Sequence, residues 1–306
     1  MKQLRQIANF NAIRFRNFLD KKQDVNDVSP IFTFQGHRGA RGLLPENTIA
    51  SFLKSFELGI HTVELDVVVS KDEQLVVSHE EWFAANISTK PNGQPVTKAE
   101  EMQHLIYQMP YSEVKKYDCG QRGHILFLEQ QPQKAYKPLL KEVVEQGDLF
   151  SKTKNLQMPF YNIEIKTSEQ RGDGYLHPAP KKYAEIVYQT LQELGIENRV
   201  LVQSFDVRLV QAMKAIAPHL KLSLLVDNAH SLNWNIKHLG FVPNVYAPYY
   251  QFITRKLVQD VHALGAEIIT WTVNEPKDML RLMYYGVDSI ITDYPDRAAK
   301  LLKSLS

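Results

Sequence analysis

Strand-like and helix-like patterns alternate along most of this chain, and that alternation constrains its fold more than any other feature. Apolar and β-branched runs at residues 31–35, 62–69, 74–78, 161–165, 200–204, 221–226, 245–248, 267–273 and 289–291 read as strands. Between most of them lie helical patterns, at 47–58, 181–194, 207–217, 254–264 and 276–285. Pro45-Glu46 opens the first helix, and Gly59, Gly195, Pro218, Gly265 and Gly286 close the five in turn. Glycine accepts the left-handed cap, and proline cannot donate the helical hydrogen bond. Repeated strand–helix units of this kind predict an α/β protein, a (β/α)8 TIM barrel, with a doubly wound sheet as the alternative. The strand candidates exceed a barrel's eight by one, so at least one of them lies outside the barrel or is no strand.

The 306 residues suffice for one large barrel. A net charge of +2 gives no general attraction to nucleic acid or acidic membranes, so anion binding has to come from a local cluster. The lone Cys119 excludes an internal disulfide and reads as a structural thiol. No apolar run reaches the roughly 18 residues of a membrane span, and the N-terminus has no continuous apolar stretch of the signal-peptide kind. The default expectation is a cytoplasmic protein, or an exported one if the true start lies upstream.

Residues 1–30 read as a basic amphipathic helix and a linker, and residues 31–306 as the barrel domain. The helix reads as packing on the domain rather than as a membrane anchor, because its apolar periodicity is broken. From 81 to 137 no period holds, and Pro91-Asn92-Gly93 and Gly120-Gln121-Arg122-Gly123 interrupt the pattern. This stretch is expected to be an insertion over the barrel mouth, following the strand that ends at His79.

Chemistry gathers at predicted strand ends. Glu64 and Asp66 alternate with Val63, Leu65 and Val67, so they share a face about 7 Å apart along the strand. A turn at 70–73 suggests a hairpin. If residue 69 pairs with 74, then 64 pairs with 79, and His79 faces the carboxylates; a slip of one residue turns it away. Glu164 and Lys166 share a face in the same manner, and strand C-termini of a barrel converge, so Glu64, Asp66 and Glu164 are expected to meet. At about 4 Å each like-charge pair costs roughly 4 kcal/mol at an effective dielectric of 20. The cluster must therefore protonate, pair with Arg38 and Lys166, or bind a cation, and all-oxygen ligands suit Mg2+ or Ca2+. His37 and His79 have the proton affinity for acid–base work near neutral pH. Arg38 offers a fork for phosphate oxygens and Lys166 a point charge. Glu46 either holds Arg38 or caps a helix, and Trp271 reads equally as a stacking surface for substrate or as rim packing.

Taken together, His37-Arg38-Gly39-Ala40, Pro45-Glu46-Asn47-Thr48, Glu64-Leu65-Asp66, His79, Glu164-Ile165-Lys166, Gln203-Ser204-Phe205, Trp271-Thr272-Val273-Asn274 and Thr292-Asp293-Tyr294-Pro295 carry a resemblance. Over about residues 31–300 the chain resembles the glycerophosphodiester phosphodiesterase family, within the phosphatidylinositol phospholipase C-like barrels. The resemblance implies a barrel with an insertion after His79 and a metal on Glu64, Asp66 and Glu164. It also implies catalysis by His37 and His79, and phosphate held by Arg38 and Lys166. Glu80 departs from it, since the family usually has Asp after the second histidine.

The expected reaction is metal-dependent hydrolysis of a glycerophosphodiester to an alcohol and glycerol 3-phosphate; the resemblance suggests that the glycerol 2-hydroxyl attacks first. The expected partner is a small-molecule substrate, with no nucleic acid, transmembrane span or protein partner implied. Three rival readings are a lipid-directed phospholipase D-like or C-like enzyme, a metal-dependent sugar isomerase, and a non-catalytic phosphate-binding protein.

Overall fold

The computed structural model describes residues 32–305, apart from 168, 169 and 171. The helix and linker expected over 1–30 lie outside the described residues. Among those described, nine strands form one sheet. They are β1 (Thr33–Gly36), β2 (Thr62–Val69), β3 (Leu75–Val77), β4 (Phe160–Ile165), β5 (Val200–Ser204), β6 (Lys221–Val226), β7 (Val245–Pro248), β8 (Glu267–Thr270) and β9 (Ser289–Thr292). All but β3 run parallel, and pairing of β1 with both β2 and β9 closes the ring into a (β/α)8 barrel. Strand β3 is the surplus one; it pairs antiparallel with the end of β2, outside the barrel.

The hairpin register differs from the expected one. Val69 pairs with Leu75 and Val67 with Val77, one residue away from the 69–74 pairing. The cause is a three-residue turn. Glu73 adopts φ +57°, the left-handed conformation that ends such turns, and Ser70 N–H donates to Gln74 O at 3.0 Å. The strand stops at Val77, so this pairing does not decide where His79 points.

The helices are α1 (Ile49–Glu57), α2 (Tyr111–Val114), α3 (Leu140–Lys154), α4 (Pro180–Leu194), α5 (Val207–Ile216), α6 (Leu232–Leu239), α7 (Arg255–Ala263), α8 (Pro276–Tyr285) and α9 (Pro295–Leu305). Thr48, Asp206, Ser231 and Thr254 cap α1, α5, α6 and α7 through their side-chain oxygens. The main core lies between strands and helices, with Val63, Leu65, Val67, Ile163 and Ile165 facing outward into it. The lumen is two-sided. Leu201, Leu225, Val245, Ala247, Ile269 and Ile291 fill one side. On the other, Asn162 donates to Gln35 Oε1 at 2.9 Å, and Gln35 donates to Ser289 Oγ at 3.0 Å. The polar side continues upward into Glu64, Asp66 and Glu164.

Residues 81–137 contain two short 3-10 turns, Glu101–Gln103 and Ile106–Gln108, and the single-turn α2. Their side chains Phe83, Val96, Ile106, Val114, Tyr117 and Cys119 cluster with Val68 and Val76 of the hairpin. Phe83 and Tyr117 stack at 3.7 Å. Cys119 is buried in this cluster, and burial pushes its thiol pKa up, as expected of an inert structural cysteine.

Candidate active site

The C-terminal ends of β1, β2, β4 and β9 carry the charged cluster. Glu64 and Asp66 lie on β2 and Glu164 pairs with Asp66 across the β2–β4 ladder. One ligand oxygen from each lies within 4.8 Å of the others, and all three residues are buried. Three oxygens so close form a set fit to hold a metal ion. Asp66 Oδ1 is buried and accepts no hydrogen bond, so one donor of the set is unsatisfied by protein hydrogen bonds. Burial, then the charges of Asp66 and Glu164, push the Glu64 carboxyl well above its ordinary range. Asp66 goes the other way: burial opposes ionisation, but His79, Arg38, Lys166 and the Asn47 amide outweigh it.

Two basic side chains border the triad. The Lys166 ammonium donates to Glu164 Oε1 and lies 3.7 Å from Asp66 Oδ1. Arg38 lies under 10% exposed, with Nη1 donating to Glu46 Oε1 at 2.7 Å and Nε 3.3 Å from Asp66 Oδ2. Its backbone N–H donates to Glu64 Oε2 at 3.1 Å. Glu46 also accepts from Arg41 Nε, and with Arg38 and Arg41 beside it the carboxyl stays well below its usual range despite burial. Thr48, not Glu46, caps α1.

The loop after β1 folds tightly to arrange these groups. Arg38 and Asn47 take φ +49° and +56°, conformations that cost a side-chain-bearing residue energy. Asparagine tolerates this best, and Asn47 uses it to donate to Asp66 Oδ2 at 2.8 Å. Gly36 is required: a Cβ there would meet Gly39 O at 2.4 Å and Ser55 Oγ at 2.6 Å.

His37 stands beside Glu64, with Nε2 at 3.9 Å from Oε2. Its Nδ1 donates to Asp293 Oδ1 at 2.6 Å. Asp293 in turn accepts from Asn274 Nδ2 at 2.7 Å, while Asn274 Oδ1 accepts from the Asp293 N–H at 3.0 Å. Burial lowers the His37 pKa more than Asp293 raises it, which favours the neutral ring. An ionised Asp293 then fixes the proton on Nδ1 and leaves the Nε2 lone pair facing the cluster. His79 Nδ1 lies 2.8 Å from Glu80 Oε1, and the neighbouring Ser78 N–H donates to Asp66 O at 3.0 Å, which brings His79 to the end of β2 that carries the carboxylates. Burial opposes ionisation of Glu80, but His79 outweighs it and lowers the carboxyl to about 2. Trp271 follows β8, donates from Nε1 to Ala247 O at 2.9 Å, and sits at the rim between Phe205 and Tyr249.

The sequence alone assigns no role to Asp293, Asn274, Asn47 or Arg41. Three of them stand in the recognisable blocks Pro45-Glu46-Asn47-Thr48, Trp271-Thr272-Val273-Asn274 and Thr292-Asp293-Tyr294-Pro295. Pairing of a histidine with a residue 256 positions away needs the barrel to close first.

Residues 37–297 match the model of the glycerophosphoryl diester phosphodiesterase family. A glycerophosphodiester phosphodiesterase of Caldanaerobacter subterraneus subsp. tengcongensis is 32% identical over 87% of this chain and 96% of its own length. The chain also resembles a solved protein of Silicibacter pomeroyi, provisionally named a glycerophosphoryl diester phosphodiesterase (29% identity, TM-score 0.79, 90% and 94% of the two chains). A phosphodiesterase of Oleispira antarctica, solved with the product sn-glycerol 3-phosphate, shares the fold at 23% identity, TM-score 0.69, over 89% and 96% of the two chains.

Proposed function

The chain belongs to the glycerophosphoryl diester phosphodiesterase family, and from that premise we propose that it hydrolyses glycerophosphodiesters to an alcohol and glycerol 3-phosphate by histidine acid–base catalysis at a divalent-metal site. One observation carries the reading: the buried triad Glu64, Asp66 and Glu164 lies against a histidine whose far nitrogen is already pinned by a carboxylate.

Glu64, Asp66 and Glu164 are the residues that would hold Mg2+ or Ca2+. Bound there, the cation supplies Lewis-acid polarisation of a phosphoryl oxygen. Arg38 and Lys166 grip the remaining phosphate oxygens and stabilise charge that builds up in the transition state. Glu46 keeps the Arg38 guanidinium aimed at the site, between its own carboxylate and that of Asp66. His37 Nε2 takes the proton of the attacking hydroxyl, because its Nδ1 proton is already committed to Asp293. His79, backed by Glu80, returns a proton to the departing alkoxide. Trp271 offers an apolar wall for the glycerol moiety at the rim.

A panel of glycerophosphodiesters assayed with metal, with chelator, and with each metal restored tests the reading. Turnover that ignores chelator refutes the metal site, and no turnover of any diester refutes the reaction. A substrate whose leaving group needs no proton, such as a nitrophenyl ester, separates the histidines. His79→Ala is expected to recover most of its loss on that substrate, while His37→Ala stays about 10²- to 10⁴-fold down. Equal rescue of both would overturn the assignment.

A further inference from the structure

We propose that Lys137 is a positioning residue for the hydrolysis: through the Ser78 hydroxyl it locks the turn that presents His79 to the departing head-group oxygen. This deepens the phosphodiesterase reading above and rests on it.

Among the described residues Lys137 is the one lysine that lies buried, at 5% exposed. None of the ion pairs among those residues includes it. Its Nζ donates to Ser78 Oγ at 2.7 Å, and the Phe83 ring centroid lies 5.7 Å away. An ammonium taken out of water without a counter-ion costs free energy, and an apolar side chain of the same length would avoid that cost. Stability therefore does not account for Lys137, and its hydroxyl partner points to what does.

Strand pairing puts the two residues face to face. Leu139 bridges Val76 antiparallel, and Val77 N–H donates to Pro138 O at 2.7 Å. Carried two residues on, that register sets Lys137 opposite Ser78. Ser78 is fully buried, its N–H donates to Asp66 O at 3.0 Å, and its hydroxyl donates to Glu80 O at 2.6 Å. The last of these bonds spans His79, so the hydroxyl closes the turn that carries the imidazole.

A serine hydroxyl has one proton and rotates to suit its neighbours. An ammonium has donors only, so beside Lys137 the Ser78 oxygen must accept, and its own proton is left for Glu80 O. The bonds run in one direction, from Lys137 to Ser78 to Glu80. Without Lys137 the hydroxyl can swing away, and the turn loosens together with the Glu80 carboxylate that meets His79 Nδ1. Charge acts the same way: burial opposes the Glu80 carboxylate, and Lys137 adds to His79 in offsetting it. The step served is the one assigned to His79. The phosphorus–oxygen bond to the head group breaks, and a proton passes from the imidazole to the departing oxygen.

The test compares the full chain with Lys137→Met, which keeps the length and loses the donor and the charge, and with Ser78→Ala. Glycerophosphocholine and glycerophosphoethanolamine have leaving groups that need a proton; the nitrophenyl ester of glycerol phosphate does not. On the first two, Lys137→Met is expected to lose about 10- to 100-fold in kcat with KM within about threefold. On the nitrophenyl ester it should stay within about threefold of the parent. Added to His79→Ala it should cost no more than about twofold further, since the residue it positions is gone. Melting curves check that each variant is folded. Ser78→Ala should show the same split between substrates, and it decides the matter alone if Lys137→Met does not fold. Equal loss on all three substrates, no loss on any, or a loss that adds in full to that of His79→Ala overturns the positioning role and leaves the phosphodiesterase reading standing. A parent that cleaves none of the three refutes that reading, and the role falls with it.

Discussion

His37 is held by Asp293, and Asp293 by Asn274, in a relay that fixes one tautomer of one ring. The carboxylate matters for its charge as well as its shape. In Asp293→Asn the amide can turn its NH2 toward the imidazole and take the proton off Nδ1, which moves it to the nitrogen that must accept. We expect kcat to fall about 10²- to 10⁴-fold with KM within a few-fold, and the melting temperature to change little. Steady-state kinetics with a melting curve check this; an equal rise in KM would mean that Asp293 acts on binding instead. Asn274→Ala leaves Asp293 charged but free to rotate, so its loss should be smaller than that of Asp293→Asn. The opposite order would place the orienting role on Asn274.

Glu142 shows how one side chain can join two elements. Its carboxylate accepts from the Leu139 N–H at 2.9 Å at the start of α3, from Tyr111 Oη at 2.7 Å in α2, and from Lys115 Nζ at 2.9 Å. Burial disfavours the charge, but these three donors outweigh it and lower the pKa. A carboxyl with a folded pKa below its unfolded value stabilises the protein above the unfolded pKa, and loses that contribution as pH falls through the folded one. Glu142→Gln should therefore cost about 1–2 kcal/mol at pH 7, and the gap to the parent should close below about pH 4. Melting curves at both pH values check it; a gap that persists in acid would mean packing rather than charge. The same elements show what the sequence reveals and hides. Strict alternation made β2 legible residue by residue, from Thr62 to Val69. Helix α3 is absent from the helical patterns of the sequence, and it carries Gly147 in its interior. Packing explains the glycine: a Cβ there would meet Tyr161 Oη at 2.6 Å and Phe56 at 3.2 Å. The β2–β3 register was missed because Glu73 takes a left-handed turn conformation that nothing in its side chain announces. His37, Arg38, Glu64, Asp66, Glu164 and Lys166 were legible because charged residues at strand ends stand out against apolar runs. Asp293 and Asn274 stand in recognisable motifs, but their roles are hidden in the sequence because ring closure sets their partner.

For the molecule as a whole, the carboxylate triad is a liability that ligand binding can remove. The chain's net charge is only +2, so no general field offsets three carboxylates whose oxygens lie within 4.8 Å of one another. Arg38 and Lys166 neutralise part of this, yet Asp66 Oδ1 still lacks a hydrogen-bond donor. A cation that binds the native triad and not the unfolded chain must stabilise the whole barrel, by about 2.7 kcal/mol at a hundredfold excess over Kd. At roughly 2–4 °C per kcal/mol for a domain of this general size, Mg2+ or Ca2+ should raise Tm by about 5 °C or more over the chelated protein. Glu64→Gln removes one like charge and one ligand together. In chelator it should melt at or above the parent, because an amide fits the site without the repulsion. With cation added it should fail to follow the parent upward. Crossing of the two melting temperatures as metal is titrated is thus the signature of a site built around a bound ion. If Glu64→Gln melts lower than the parent in chelator, and neither protein responds to cation, the three carboxylates are held by Arg38 and Lys166 alone and the metal site is refuted.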